Sequence, residues 1–286
     1  MKRVTSCLAL LLATGLFAQI EHPRVSPLSV VEQKVGLSTI KVEYSRPGVR
    51  NREIIGDLVP YGRIWRVGAN ESTKFSVDTE VEIMGNTLAP GTYALYAFPY
   101  ENKWEIVFHS NTTHWGDGRK NYQPEEDIFR VDIVPEQLQE LQENFLITFD
   151  KIDHNGMDMI WQWEYTKITI PIEVNTDSIM MRYINRQLEV NGSPQTYYEA
   201  GRYLQEQGKD LKTSLSYLNK AIELGGDTYY FHRVKSLVQA SLNDYKGAIQ
   251  SAQISLELAK ELEKDEFVRM NQKNIDAWRK EVSVKD

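Results

Sequence analysis

The densest concentration of chemically capable side chains lies between Tyr44 and Thr73, where Tyr44, Arg46, Arg50, Arg52, Tyr61, Arg63, Trp65, Arg66, Asn70 and Glu71 fall within one poorly periodic stretch. Loops carry binding sites more often than strands do. Guanidinium groups suit planar, bidentate recognition of carboxylate or phosphate, and Tyr and Trp offer flat apolar faces with polar edges. Tyr44, Arg46, Arg52, Tyr61, Trp65, Arg66, Asn70 and Glu71 are therefore the predicted ligand-binding residues, for a small acidic or sugar-like ligand. The same residues allow a structural alternative. Arg46, Arg66 and Glu71 could form an ion-pair network pinning the loop over a β domain, with Trp65 as its hydrophobic plug; a long loop is where either arrangement is placed.

Other chemistries find less support. The histidines are His22, His109, His114, His154 and His232, and no pair has the i, i+4 helical spacing of a metalloprotease. His109 and His114 could approach a metal with Asp117, but Trp115-Gly116-Asp117-Gly118 has the composition of a turn, so no metal site and no cofactor is assigned. His154, in Asp153-His154-Asn155-Gly156, belongs to a hairpin tip. Nucleophile elbows, phosphate loops and dinucleotide glycine patterns are absent. Glu71 with Asp57 or Asp78 could serve as a glycosidase pair, but only their separation would decide that. Trp161, Trp163 and Tyr165 alternate and so should share one strand face, more readily core than a stacking platform. Asn70-Glu71-Ser72 and Asn111-Thr112-Thr113 match the glycosylation pattern.

The elements that must position these residues come in two kinds. From about Val30 to Val174 the apolar period is two, as in Ile40, Val42, Tyr44; Trp104, Ile106, Phe108; Phe145, Ile147, Phe149; and Ile168, Ile170, Ile172, Val174. Pro47-Gly48 and Pro90-Gly91 suggest type II turns, and Gly85-Asn86 a tight hairpin. Eight or more short strands without intervening long helices predict an all-β antiparallel sandwich or barrel. Pro135 to Leu141 is expected to form one or two helical turns.

After Val174 the period becomes helical. Thr176 or Asp177 can cap a helix bearing Ile179, Met180, Tyr183, Ile184 and Leu188, and Ser193 caps another with Pro194 in its first turn. Two helical hairpins look like tetratricopeptide repeats: Ala200, Tyr203, Leu218 and Ala221 occupy the small and aromatic positions of one, and Tyr245, Ala248, Ala252 and Ser255 follow the second helix of the other. Two repeats need support, so the segments Asp177 to Val190 and Glu266 to Val282 should cap the array. Such a scaffold offers a groove to a protein or peptide.

The chain has 286 residues, with 33 Lys plus Arg against 40 Asp plus Glu, a net charge of -7. That balance argues against nucleic acid as a partner. Lys2 and Arg3, then Leu8 to Leu12 and on to Ala18, have the order of a cleaved secretory leader, expected over 1–19. Its loss would remove Cys7, the one cysteine. That apolar run is too short to span a bilayer, and no later stretch approaches the roughly 20 apolar residues of a transmembrane segment. The protein is accordingly expected to be exported, periplasmic or secreted.

The strings Tyr44-Ser45-Arg46-Pro47-Gly48, Ile64-Trp65-Arg66-Val67-Gly68-Ala69-Asn70-Glu71 and Leu88-Ala89-Pro90-Gly91-Thr92-Tyr93 closely resemble a bacterial domain-of-unknown-function family, number 2911. The resemblance covers roughly Ser26 to Tyr165. It implies an exported β domain, often with helical repeats appended, and it supplies no activity, because the family has no established one. The expected organisation is a leader over 1–19, a β domain over 26–174 and an α-helical tetratricopeptide-like domain over 175–286. The expected function is that of a noncatalytic binding or interaction protein. Two alternatives stand beside it: an exported hydrolase of an envelope or dietary polymer, using Glu71 with a second carboxylate or His114, and a structural envelope protein without a ligand.

Overall fold

A computed structural model describes residues 22–116 and 119–285; the leader expected at 1–19, with Cys7, and Asp117 and Gly118 lie outside the described residues. The chain divides after Asn175 into two compact units.

Among the described residues the first unit holds ten strands: β1 Leu28–Val35, β2 Ser38–Ser45, β3 Thr73–Val77, β4 Val81–Ile83, β5 Asn86–Leu88, β6 Gly91–Pro99, β7 Trp104–His109, β8 Asp127–Ile133, β9 Glu136–Asp150 and β10 Gly156–Val174. They form a six-stranded sheet, β1-β2-β3-β6-β7-β8, and a four-stranded sheet, β5-β4-β10-β9. Adjacent strands run antiparallel throughout both sheets. Period-two alternation gives each sheet an apolar face. Val42, Phe75, Leu95 and Ile106 of the first sheet and Ile147, Met159, Trp161 and Ile170 of the second are buried in one continuous cluster. Each such side chain contributes about 1.5–3 kcal/mol by leaving water. The sheets do not join into a closed barrel, so the sandwich is the form taken.

Three local expectations are corrected. Residues 136–141 continue β9 rather than forming helical turns. Their spacing offers no broad apolar stripe for a helix to bury, whereas β10 supplies ladder partners: Glu136 and Gln137 pair with Lys167 and Thr166, and Glu136 also accepts hydrogen bonds from Lys167 and Thr169. Gly48 and Gly91 lack the positive φ a type II turn requires; Gly48 instead bridges to Asn144, and Gly91 opens β6 opposite Val77. Tyr165 does not share the face of Trp161 and Trp163. The inward positions of β10 are odd from Met157 to Trp163 and even from Ile168 to Val174, and the phase changes at Glu164, whose φ is 53°. The register against β9 slips on both sides of that residue, and Tyr165 turns outward.

Both faces of β7 are covered. Trp104, Ile106 and Phe108 enter the sandwich core, while Val107 packs with Ala94 and Tyr96 on the outer face under Ile64 and Tyr122. The long connection from β7 to β8 thus roofs part of the first sheet.

The second unit consists of α1 Thr176–Val190, α2 Pro194–Glu206, α3 Leu211–Glu223, α4 Tyr229–Ser241, α5 Tyr245–Glu261 and α6 Asp265–Lys285, packed in hairpin-like pairs. Helix starts recur 35 residues apart from Pro194 to Tyr229 and 34 apart from Leu211 to Tyr245. Ser193, Asp210 and Asp244 each accept a backbone hydrogen bond at a helix start. Gly201 lets α2 and α3 approach closely, because a Cβ there would lie 2.8 Å from Leu218 Cγ. Tyr198 stacks on Phe231 at 4.3 Å. The outer helices cover the repeats as expected: Ile184 of α1 packs with Ala200 and Tyr203, and Ile275 of α6 with Ala252 and Leu256. No described helix is long and apolar enough to cross a membrane.

Candidate functional site

The segment from the end of β2 to β3 divides its polar residues between two tasks. Its first part seals the exposed edge of β9. Buried Tyr44 donates its hydroxyl to Ile147 O at 3.2 Å and accepts from Ile147 N at 2.9 Å. Arg46 Nε donates to Phe145 O at 2.9 Å, Phe145 N to Pro47 O at 2.9 Å, and Val49 N to Glu143 O at 2.8 Å. An edge strand presents unpaired backbone groups. Here residues 44–49 satisfy them one after another, so Tyr44 and Arg46 are structural at this edge.

The second part of the loop builds a cleft of about 480 Å³ in the first unit. That volume suits a small ligand. Arg50, Arg52, Arg63, Arg66 and Arg119 line it, and the described lining residues include no carboxylate. Trp65 and Trp163 form part of its apolar wall; both are largely buried and stack at 5.8 Å with planes 19° apart. Trp65 also meets Trp104 and Phe145 edge-on and donates its indole N–H to Gly68 O at 3.2 Å. Its backbone pairs in both directions with Ala97, extending the sheet beyond the end of β3.

Neutral acceptors hold several of the cationic groups. Arg52 donates to Val49 O at 3.0 Å and Gly48 O at 2.6 Å, and Arg50 donates from its guanidinium to Val25 O at 3.0 Å. Glu143 Oε1 takes the Arg50 backbone N–H, not its guanidinium. A carbonyl fixes a guanidinium without cancelling its charge, which is the condition for a prearranged anion site. Backbone conformation is constrained beside the cleft as well. Buried Val67 has φ 54°, a left-handed geometry that costs a β-branched residue about 1–3 kcal/mol. Gly68 follows with φ 141°, and a Cβ there would lie 2.8 Å from Ser45 O.

The predicted site residues therefore separate. Arg52, Trp65 and Arg66 line the cleft; Tyr44, Arg46, Tyr61, Asn70 and Glu71 do not. Tyr61 is exposed elsewhere on the loop. Asn70 ties the loop to Ser26 O and Ser45 Oγ, each at 3.1 Å. Glu71 pairs with Arg24 at 3.0 Å, a residue absent from the expected network. Asp57 and Asp78 are also outside the lining, and Asp78 accepts from Thr39 N at 2.7 Å. Arg119 went unnoticed in the sequence, where it stands apart from the arginines of residues 46–66; only the fold brings it to the cleft. His109 and His114 do converge, on the outer face of β6 and β7, but with Glu126; their proposed companion Asp117 is outside the described residues.

The Arg24–Glu71 pair yields a small expected effect. Burial opposes ionisation of Glu71, but its own backbone amide and the Arg24 guanidinium outweigh this and hold the carboxyl below the usual range. Stability from a depressed carboxyl is fully present above the unfolded value near 4.5 and disappears as pH falls through the folded value. Both side chains are about half exposed, so Arg24→Ala should cost less than about 1 kcal/mol at pH 7. Urea midpoints of the two proteins should converge as the pH is lowered below 4.5; a difference that grows on acidification would contradict this account.

A two-sheet antiparallel sandwich carrying an arginine-lined cleft, followed by helical hairpins, is the class of protein defined here. Residues 26–172 match the family described as Protein of unknown function (DUF2911), and the chain belongs to that family. No curated protein and no solved structure matches it.

Proposed function

We propose that this is an exported, noncatalytic binding protein whose β unit takes a small anionic ligand, bearing carboxylate or phosphate, in the arginine-lined cleft. The carrying observation is the convergence of Arg50, Arg52 and Arg63 on one cavity, with the first two guanidiniums held by carbonyl oxygens and Arg63 making no side-chain hydrogen bond or ion pair to the described residues. In a chain of net charge -7, such a cluster without a lining acid concentrates positive potential locally. The apolar wall of Trp65 and Trp163 suits the carbon skeleton of an organic acid or acidic sugar. Export rests on the basic and apolar order of residues 2–18. The helical unit carries the protein- or peptide-contacting part of this reading, supported by its repeat spacing and paired helices.

Titration calorimetry of the leader-free protein with phosphate, citrate, glucuronate and neutral glucose tests the proposal. At least one anion should bind and glucose should not, with affinity falling as salt rises. Arg63→Ala, at an exposed position, should weaken that anion about tenfold or more, as loss of a charged hydrogen bond does. Glucose binding as tightly as the anions, or an Arg63→Ala variant with unchanged affinity, would refute it.

A further inference from the structure

His109 ends β7, His114 lies five residues later in the roofing connection, and Glu126 closes the short 3₁₀ turn Pro124–Glu126 before β8. One donor atom from each lies within 4.8 Å of the other two. His109 is fully buried, yet its Nε2 has no hydrogen-bond partner, and neither does Glu126 Oε2. These two atoms approach to 3.3 Å without the alignment of a hydrogen bond. Unpaired buried polar atoms are costly, and two facing each other call for something between them. Two donors each about 2.0–2.1 Å from a tetrahedral ion lie about 3.3–3.4 Å apart, which is the separation seen.

The surroundings orient each of the three residues. His109 Nδ1 meets Asp127 Oδ1 at 2.9 Å. Asp127 also accepts from Tyr122 and Arg130, at 2.7 and 2.8 Å to Oδ2. An ionised carboxylate only accepts, so Nδ1 donates to Asp127, and a neutral imidazole held in this way presents its lone pair at Nε2. His114 Nδ1 meets the Tyr96 hydroxyl at 2.9 Å, and Glu126 Oε1 accepts from Asn111 at 3.3 Å. Ser110 donates both its N–H and its hydroxyl to Glu126 O at 2.9 Å, clamping the turn to the end of β7. A carboxylate behind a ligating imidazole and separate partners behind the other ligands are the usual outer shell of a metal site. Lys74, whose charge reaches His114, donates to Ser72 O and Ser72 Oγ.

We infer that His109, His114 and Glu126 form a binding site for a divalent transition-metal ion, with zinc the best match to two imidazoles and a carboxylate. Glu126 is partly exposed and gives the ion a route from solvent. Three protein donors leave a further position for water or an exogenous ligand. The residues are distinct from those lining the arginine cleft, so the two proposals stand or fall separately.

The test uses the purified full-length protein, stripped with a chelator and titrated with Zn²⁺ by calorimetry and with Co²⁺ by visible absorption. One equivalent of Zn²⁺ should bind, and Co²⁺ should give the intense d–d bands of a four-coordinate site. Glu126→Gln and His114→Ala should each weaken Zn²⁺ binding at least about tenfold, with far-UV circular dichroism retained, whereas Arg63→Ala should leave it unchanged. Should His114→Ala fail to fold, the isosteric Glu126→Gln decides alone. Absence of stoichiometric binding, or binding unaltered in Glu126→Gln, overturns the inference.

Discussion

Trp65→Ala should destabilise the β unit by about 3–5 kcal/mol, the range for removing a large aromatic from a core. The indole contributes more than area. It stacks on Trp163, meets Trp104 and Phe145 edge-on, and is only 8% exposed. Aromatic contacts of this geometry add about 0.5–1.5 kcal/mol beyond burial. Its N–H also restrains Gly68 O, so truncation frees the loop that presents Arg66 and the strained Val67. Collapse around the void is limited because the flanking backbone is held to Ala97 on both sides of the peptide. Urea denaturation followed by far-UV circular dichroism measures the loss. Trp65→Phe should recover roughly half of it, since the ring contacts partly survive and the indole hydrogen bond does not. A loss below about 1 kcal/mol for the alanine variant would show that the cleft floor relaxes freely, against the packing argument.

Tyr44→Phe removes one oxygen and should still cost about 2–4 kcal/mol, because two backbone groups lose their partner at once. The hydroxyl accepts from Ile147 N and donates to Ile147 O across 103 residues of sequence, at a buried position. Each stranded buried group carries a penalty of about 1–3 kcal/mol. The ring itself stays packed edge-on against Phe145 at 5.6 Å, so the change isolates the polar term. Equilibrium unfolding gives the magnitude, and amide hydrogen exchange gives the location: the Ile147 N–H should lose protection while those of β2 paired with β1 keep theirs. Uniform loss of protection across the sheet, or a cost under about 0.5 kcal/mol, would mean that the hydroxyl is not what seals this edge.

Much of the architecture was legible because it is written in local chemistry. Alternation marked the strands, and Gly85-Asn86 marked the β4–β5 hairpin. Asp153 closes the β9–β10 tip by accepting from Asn155 N and Gly156 N, as a short acidic side chain before Asn-Gly does. Ser193 and Pro194 marked the start of α2. The misreadings have equally specific causes. Residues 136–141 carry helix-favouring Glu, Gln and Leu, but pairing with β10 overrides their propensity. Tyr165 was assigned to the core face because an unbroken period of two was assumed. The shift from odd to even apolar positions along β10 was visible in the residues and is the signature of the bulge at Glu164, whose carboxylate then accepts from Ile54 N and Ile55 N at 3.3 and 3.4 Å.

The candidate sites show where local reading ends. Sequence alone determined that arginines and aromatics crowd one irregular segment, that two histidines lie close together after a strand, and that β elements give way to helical pairs, since each depends on residues near one another in the chain. Only the tertiary structure decided that Arg46 is spent on the edge of β9 while Arg50, Arg52 and Arg63 face a cavity, that Arg119 joins them, and that Glu126 rather than Asp117 meets the histidines among the described residues. A guanidinium is equally suited to a backbone carbonyl or a ligand carboxylate, and an imidazole to a hydrogen bond or a metal. Arg46 meets a carbonyl of β9 99 residues away and Tyr44 a peptide group 103 residues away, and no spacing within the segment carries that information.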